Sequence, residues 1–355
     1  MKSKVYFIGV KDARDVKDTA AQLDRLIAKS RVLDCIRKGW NVAVKTHFGE
    51  AGNTGFVKPP YVRAICDGIK GKGAAAFLSD ANTLYRGRRL NSADHLALAA
   101  EHGFTKETVG VDIVIPDDTK KENTIALPIN QKNITFAKVA RVYADADALV
   151  TVTHFKGHIL TGFGGSVKNV GMGCATREGK LAQHCDAAPT VYPDKCIGCG
   201  ACVKICPVDA IRVVNKKSVL SVDKCIGCAS CMAVCPTMAL FIDFNAGDKV
   251  QEKMAEYALA VLKAKKGKAV FFNFAVDINK ECDCWGQDNP RIAPDVGIFA
   301  SDDPVSVDKA GYDVVNAANG RDIFREAHPD YDGVNHLRYA REIGLGSLDY
   351  ELIRL

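Results

Sequence analysis

Short apolar runs, bounded by polar or glycine-bearing turns, recur along this chain, and segments with apolar residues every three or four positions lie between them. The runs at 4–10, 41–47, 74–79, 111–115, 148–153, 269–274 and 296–300 have the length and content of buried strands. Val16, Ala20, Leu23 and Ile27 share one face of a helix expected near 15–30, and Val250, Met254, Tyr257 and Val261 mark another. A third helix is expected over 303–318, where Asp303 and Pro304 form a start signal. Strand–helix alternation on both sides of a cysteine-rich centre predicts an α/β fold. One mixed α/β body, built from 1–187 and 244–355, would carry an inserted, smaller α+β module at 188–243.

The centre is an internal repeat, DKCIGCGACVKICPVDAI at 194–211 and DKCIGCASCMAVCPTMAL at 223–240. Each copy reads C-x2-C-x2-C-x3-C-P, the spacing of bacterial two-cluster ferredoxins, which points to two [4Fe–4S] clusters. In such modules the fourth cysteine ligates the other cluster. The expected sets are therefore Cys196, Cys199, Cys202 and Cys235 for the first cluster, and Cys225, Cys228, Cys231 and Cys206 for the second. Small residues at Gly198, Gly200, Gly227, Ala229 and Ser230 let the loops close and turn backbone N–H groups toward the sulfurs. Pro207 and Pro236 end each loop. Ile197, Ile205, Ile211, Ile226, Val234 and Leu240 would jacket the clusters. A zinc site would need longer loops between ligand pairs, and disulfides are not expected in a chain whose N-terminus, MKSKVYFIGVKD, reads as a strand rather than a secretory signal.

Fourteen cysteines without an export signal suggest a reducing, anaerobic cytoplasm. No apolar run reaches the roughly 18 residues of a membrane span. The formal charge of +6 counts every cysteine as neutral. Two oxidised clusters at about −2 each would lower it to roughly +2, so the basic excess is no nucleic-acid signal. Lys263, Lys265, Lys266 and Lys268 read as a solvated helix end.

Residues 151–185 are dense in glycine and ligand-type side chains. His154 and His158 lie four apart and can share a face. Gly162, Gly164 and Gly165 precede a helix bearing Lys168, an arrangement able to hold an anion. Lys45, His47, Glu50, Asn53 and Lys58 follow one expected strand, and Asp80, Asn82, Arg86 and Arg88 follow another. Open α/β sheets bind ligands beyond the carboxyl ends of their strands, so these loops are expected to share a cleft. His47, His154, His158 and Lys168 are the candidate catalytic residues. Among the remaining cysteines, Cys35 and Cys66 read as small core residues. Cys282 and Cys284, in CDCW, could form a further metal site with Cys174, Cys185 or His184.

Taken as a set, KTHFGE, DANTLYRG, THFKGH…GFGGSVKNVGMG, the double cysteine run, CDCW and ASDDPVSVDKA resemble the uncharacterised iron–sulfur-centre proteins of the domain of unknown function 362. The resemblance implies an α/β body carrying a two-cluster ferredoxin, with no settled activity. GHILTGFGGSVKN is also similar to the glycine-rich, lysine-bearing stretch of the nickel-pincer lactate racemases; on that likeness Lys168, His154 and His158 would face a cofactor or a hydroxy-acid-like ligand.

Three functions are compatible with these features. The chain could carry electrons at low potential to a redox partner protein. It could be a redox enzyme whose pocket binds a small anionic substrate, a further metal or a flavin. It could use its clusters structurally or as a sensor. A carrier does not need so large a body, and no nicotinamide fingerprint, phosphate loop or nucleophile elbow is present.

Overall fold

The computed structural model describes residues 2–355 except 185–187, 242–246 and 288. Its centre is an eight-stranded sheet formed by β1 (Ser3–Gly9), β2 (Asn41–Lys45), β3 (Ala75–Ser79), β4 (Asp112–Val114), β5 (Ala148–His154), β6 (Ala269–Ala275), β7 (Gly297–Ser301) and β8 (Tyr350–Arg354). The strand order is β8-β1-β7-β6-β5-β2-β3-β4. Only β7 runs against its neighbours; every other pairing is parallel. All seven strands expected from the apolar runs are in this sheet, and β8 joins them as an edge strand.

Both faces of the sheet are covered. Phe7, Ala43, Leu149, Phe271 and Phe299 belong to one core, whereas Ile8, Val44, Val150, Phe272 and Ile298 belong to the other. That period-two alternation between two buried faces explains why the strands read as continuous apolar runs. Every residue of β5 and β6 is buried. Full burial of one such Phe or Val side chain contributes about 1.5–3 kcal/mol.

The helices follow their local signals. Helix α1 (Val16–Ser30) is capped by the Asp15 side chain, which accepts from Asp18 N–H, and ends where Arg31 turns left-handed. Helix α2 spans Pro59–Gly71, with proline in its first turn. Helix α3 (Ser166–Gly171) carries Lys168, and α4 (Gly247–Lys263) packs across it. Helix α5 (Pro304–Asn319) starts on Asp303, whose carboxylate accepts from the N–H groups of Val305 and Ser306.

Strands β5 and β6 are parallel neighbours, so everything between them in sequence forms one crossover. The cysteine-rich segment lies within it. There Thr190–Val191 pairs antiparallel with Leu240–Phe241, and 211–214 pairs with 217–220. Helices Ala201–Ile205 and Ser230–Val234 occupy equivalent places in the repeat. Gly200 and Ala229, also equivalent, both adopt positive φ before those helices. Part of the boundary regions, 185–187 and 242–246, lies outside the described residues.

Two expectations from composition are corrected. Lys265 is not solvated: it is buried, and its ammonium bonds the carbonyls of Ala144 and Ala146. The proposed apolar jacket is one-third buried; Ile211 and Leu240 are enclosed, but Ile197, Ile205, Ile226 and Val234 are exposed. Cys66 is fully buried in α2, whereas Cys35 lies in a short 3-10 turn and is half-buried.

Candidate active site

Lys45, Asp80 and His154 sit at or just beyond the carboxyl ends of β2, β3 and β5, three adjacent parallel strands. The chain runs outward from β2 through β3 to β4 and then returns to the other side of β2 as β5. Such a reversal opens a crevice at the carboxyl edge. A cavity of about 540 Å³ lies there, lined by Lys45, His47, Asp80, Arg89, His154, Lys156, His158, Lys168 and Lys180, with Leu84, Tyr85, Phe241 and Trp285 among its apolar walls. Its size is that of a small-molecule site. All four candidate catalytic residues line it, as do both Cys282 and Cys284.

The cavity is cationic. Among the described residues, Lys45, Arg89, Lys156, Lys168 and Lys180 face it, against Asp80 and Glu281 as the lining acids. Asp80 is already engaged: Lys45 Nζ lies 2.8 Å from Oδ1 and Arg89 Nη1 3.9 Å from Oδ2. Arg89 also bonds Glu50 at 3.1 Å and meets His47 Nε2 at 2.9 Å. Its Nη2 is buried with no partner among the described residues. Lys156 and Lys180 donate to the backbone carbonyls of His154 and Ala175, at 2.7 Å each. Lys168 has no hydrogen-bond partner among the described residues. Burial, reinforced by the nearby charge of Lys156, lowers its amine to about 7. Burial likewise lowers Lys180 to about 8.

The histidines differ in what they can offer. His154 Nδ1 lies 2.7 Å from Asp283 Oδ1, and Nε2 lies 3.1 Å from the carbonyls of Val276 and Asp277. Both nitrogens are taken, so His154 holds the CDCW loop in place. At His158, Nδ1 is met by Leu160 N–H at 3.2 Å and the Thr161 hydroxyl at 2.9 Å, leaving Nε2 for a ligand. Burial, with Lys168 and Lys156 adding repulsion, keeps the His158 ring neutral by lowering its pKa well below the usual histidine range. Gly49 N–H donates to His47 Nδ1 at 2.9 Å, and burial together with Arg89 lowers that ring's pKa too.

The other named side chains do different work. Asn53 bonds the Trp285 carbonyl, Asn82 bonds Ser92 and Pro116, and Arg88 pairs with Glu101. Lys58 reaches the Thr54 carbonyl and lies over the Phe56 ring. Arg86 donates to the Pro236 carbonyl at 2.7 Å, tying the body to the cysteine-rich unit. The glycine-rich turn before α3 holds an anion, but it is the protein's own. The Asp308 carboxylate accepts from Ser166 N–H at 2.6 Å and Val167 N–H at 2.9 Å. A Cβ on Gly165 would fall 2.3 Å from Asp308 Oδ1, so no external ligand is needed to explain that glycine.

Cys282 and Cys284 are joined by a disulfide, contrary to the expectation that disulfides are absent. Only one residue separates them, and the turn closed by Trp285 N–H on the Cys282 carbonyl, at 2.9 Å, brings their side chains together. Cys174 is buried in the core beneath β5, and Cys185 lies outside the described residues. Arg89, Lys156, Lys180 and Asp283 were absent from the sequence expectations. Lys156 alternates with His154 and His158 on one extended segment, which is the signal that could have found it.

In the cysteine-rich unit, Cys206 lines one small cavity with Cys225, Cys228 and Cys231. Cys196 and Cys235 pack together with Ala239, and the Ser218 hydroxyl lies 3.4 Å from Cys196 Sγ and 3.3 Å from Cys202 Sγ. Cys199 is exposed. Backbone N–H groups already address the sulfurs: Ala210 to Cys206 at 3.2 Å, Ala239 to Cys235 at 3.1 Å, and Ser218 to Cys196 at 3.3 Å. Among the described residues, no group of three His, Cys, Asp or Glu side chains is arranged to hold a single metal ion.

Fold and site together define a mixed α/β protein with a buried cationic cavity beside a cysteine-rich unit. Residues 42–313 match the model of the domain of unknown function DUF362, and the chain belongs to that family. No curated protein matches it. Among solved structures it is similar to a lactate racemase apoprotein from Thermoanaerobacterium thermosaccharolyticum, at 16% identity and a TM-score of 0.41, covering 77% of this chain and 51% of that one. It is also similar to a structural-genomics protein from Thermotoga maritima, at 13% identity and a TM-score of 0.37, over 72% of this chain and 50% of that one. The chain thus spans about half the length of each. Likeness at this level assigns no activity. No helix among the described residues is long and apolar enough to cross a membrane.

Proposed function

We propose that this protein is an iron–sulfur redox enzyme in which a two-cluster module exchanges electrons with a small anionic molecule held in the cationic cavity. The observation that carries this reading is a shared wall. Leu84, Tyr85 and Phe241 line the cavity and also pack in the apolar cluster that contains Cys202 and Cys231. A cofactor at those cysteines would sit against the substrate site with only these side chains between.

The residues fit the clusters. A cubane spreads its four thiolates over four corners, so a set unable to grip one ion is still suited to it. Cys225, Cys228 and Cys231 share a cavity with Cys206 from the other half, an arrangement that supports Cys206 as the exchanged fourth ligand of that set. N–H donors at the sulfurs would stabilise their negative charge. When bound, the clusters supply one electron each.

The body supplies recognition and protons. Among the described residues Arg89 Nη2 is a buried donor without a partner, and Lys168 is a half-buried amine with no hydrogen-bond partner, so both suit a carboxylate or similar oxyanion. Near neutrality Lys168 can give or take a proton, and His158 Nε2 adds a second polar contact.

The test is anaerobic preparation, iron and sulfide analysis, and reoxidation of the reduced protein by a panel of small organic anions followed by stopped-flow absorbance. The reading expects about eight irons per chain and at least one anion whose oxidising power falls in Lys168→Ala and Arg89→Ala without loss of iron. Absence of iron from anaerobic preparations, or reoxidation indifferent to both substitutions, would reject it.

A further inference from the structure

The Cys282–Cys284 disulfide is left unused by anion binding, although both residues line the cavity. Its placement argues against a role as a staple. A disulfide stabilises chiefly by restricting the unfolded chain, in proportion to the logarithm of the loop it closes. A sequence separation of 2 is almost the shortest loop possible. The turn is also secured without the sulfurs. Glu50 N–H donates to the Asp283 carbonyl at 2.8 Å, Asn53 bonds the Trp285 carbonyl at 3.2 Å, and Asp283 Oδ1 meets His154 at 2.7 Å. Opening the S–S bond would leave all three contacts in place. Cys282 and Cys284 line the same cavity as Lys156 and Lys168, so the sulfurs stand among cationic side chains. Nearby cations favour thiolate over thiol.

We infer that Cys282–Cys284 is a redox-active disulfide that converts one-electron supply into two-electron chemistry at the cavity wall, and that the cavity's ligand is a small anionic disulfide. In the first half-reaction the Cys282–Cys284 S–S bond breaks, taking two electrons, one from each reduced cluster, and two protons to give a dithiol. In the second, each thiol gives up its proton to solvent as it reacts: one Cys thiolate attacks a sulfur of the bound R–S–S–R, releasing RS⁻, and the other then attacks the mixed disulfide, releasing a second RS⁻ and restoring Cys282–Cys284, so that the two protons taken up in the first half-reaction leave in the second. This rests on the redox-enzyme reading for its electron source, but the exchange step does not.

The experiment uses the intact anaerobic protein. It is reduced with dithionite or with dithiothreitol, desalted, alkylated with iodoacetamide and digested with trypsin, and the 281–291 peptide, which holds these two cysteines and no others, is weighed. The inference expects no alkylation as oxidised and two alkyl groups after either reductant. In reductive titration, wild type should take about four electrons per chain, and the Cys282→Ser/Cys284→Ser double variant about two at unchanged iron content. The probe for exchange is 5,5′-dithiobis(2-nitrobenzoate), a dianionic disulfide, compared with neutral 2,2′-dithiodipyridine. Reduced wild type should consume the anionic probe about tenfold faster than the double variant, and the neutral probe should show a smaller difference. A peptide that is alkylated after dithiothreitol but not after dithionite reduction of the iron-replete protein would overturn the electron route. Low iron with normal dithiothreitol exchange would reject the cluster reading while sustaining the exchange step. Equal probe rates in wild type and double variant would overturn the substrate class.

Discussion

At the residue scale, the cavity is held together by charges that would be unfavourable in an isolated core. Asp80 offsets Lys45 and part of Arg89, but Lys168 has no such partner. Its amine is lowered to about 7 when folded, against about 10.4 for a lysine in the unfolded chain. The folded state thus binds fewer protons between those values, so Lys168 destabilises the protein increasingly as pH falls from about 10 to about 7, and by a constant amount below that. Lys168→Met should therefore raise the melting temperature at pH 7 and raise it little at pH 10, a difference read by scanning fluorimetry at matched ionic strength. A binding anion should narrow the gap at pH 7, because it stabilises only the lysine form. His47, His154, His158 and Lys168 were legible because each follows a strand-like run in a polar context. Asp283 was not, hidden between two cysteines whose own chemistry drew the reading. Nor was Arg89, whose placement depends on a loop fold with no local signature.

At the element scale, α3 shows why a sequence signal can be right in chemistry and wrong in partner. Glycines followed by a helix start do create an anion site, but α5 fills it from more than a hundred residues away. Asp308 also accepts from Asn273 Nδ2 on β6 at 2.6 Å, so one carboxylate ties a helix, a strand and the crossover entry. Asp308→Ala should cost about 3 kcal/mol, measured by chemical denaturation, because two buried N–H groups and an amide lose their acceptor. Gly165→Ala should also destabilise, since its methyl would displace the same carboxylate. The strands and the three amphipathic helices, by contrast, were readable from period alone. β8 escaped because its residues are half-buried or exposed and two of them are charged, giving no apolar run. The equivalent positions Gly200 and Ala229 give a third test. Ala229 carries a side chain at φ 58°, so Ala229→Gly should be neutral to stabilising by up to about 1 kcal/mol.

At the scale of the whole molecule, the cysteine-rich unit enters and leaves the crossover at one point. Thr190 faces Phe241 in an antiparallel pair, so the two ends of the described unit are neighbours. Insertions with adjacent ends perturb a host fold little. The body's own sheet, both of its cores, and the packing of α4 on α3 lie outside the unit. Replacing 190–241 by a short Gly/Ser linker should therefore leave a cooperatively folding α/β body, seen as retained helix and strand signals in circular dichroism and a single thermal transition. The cover lost is local: Leu84 and Leu181 pack against the unit and would become exposed. The shortened protein should consequently aggregate more readily than the parent, and Leu181→Gln should restore solubility without changing the transition. A shortened chain that fails to fold even with that substitution would mean that the body depends on the unit for its structure.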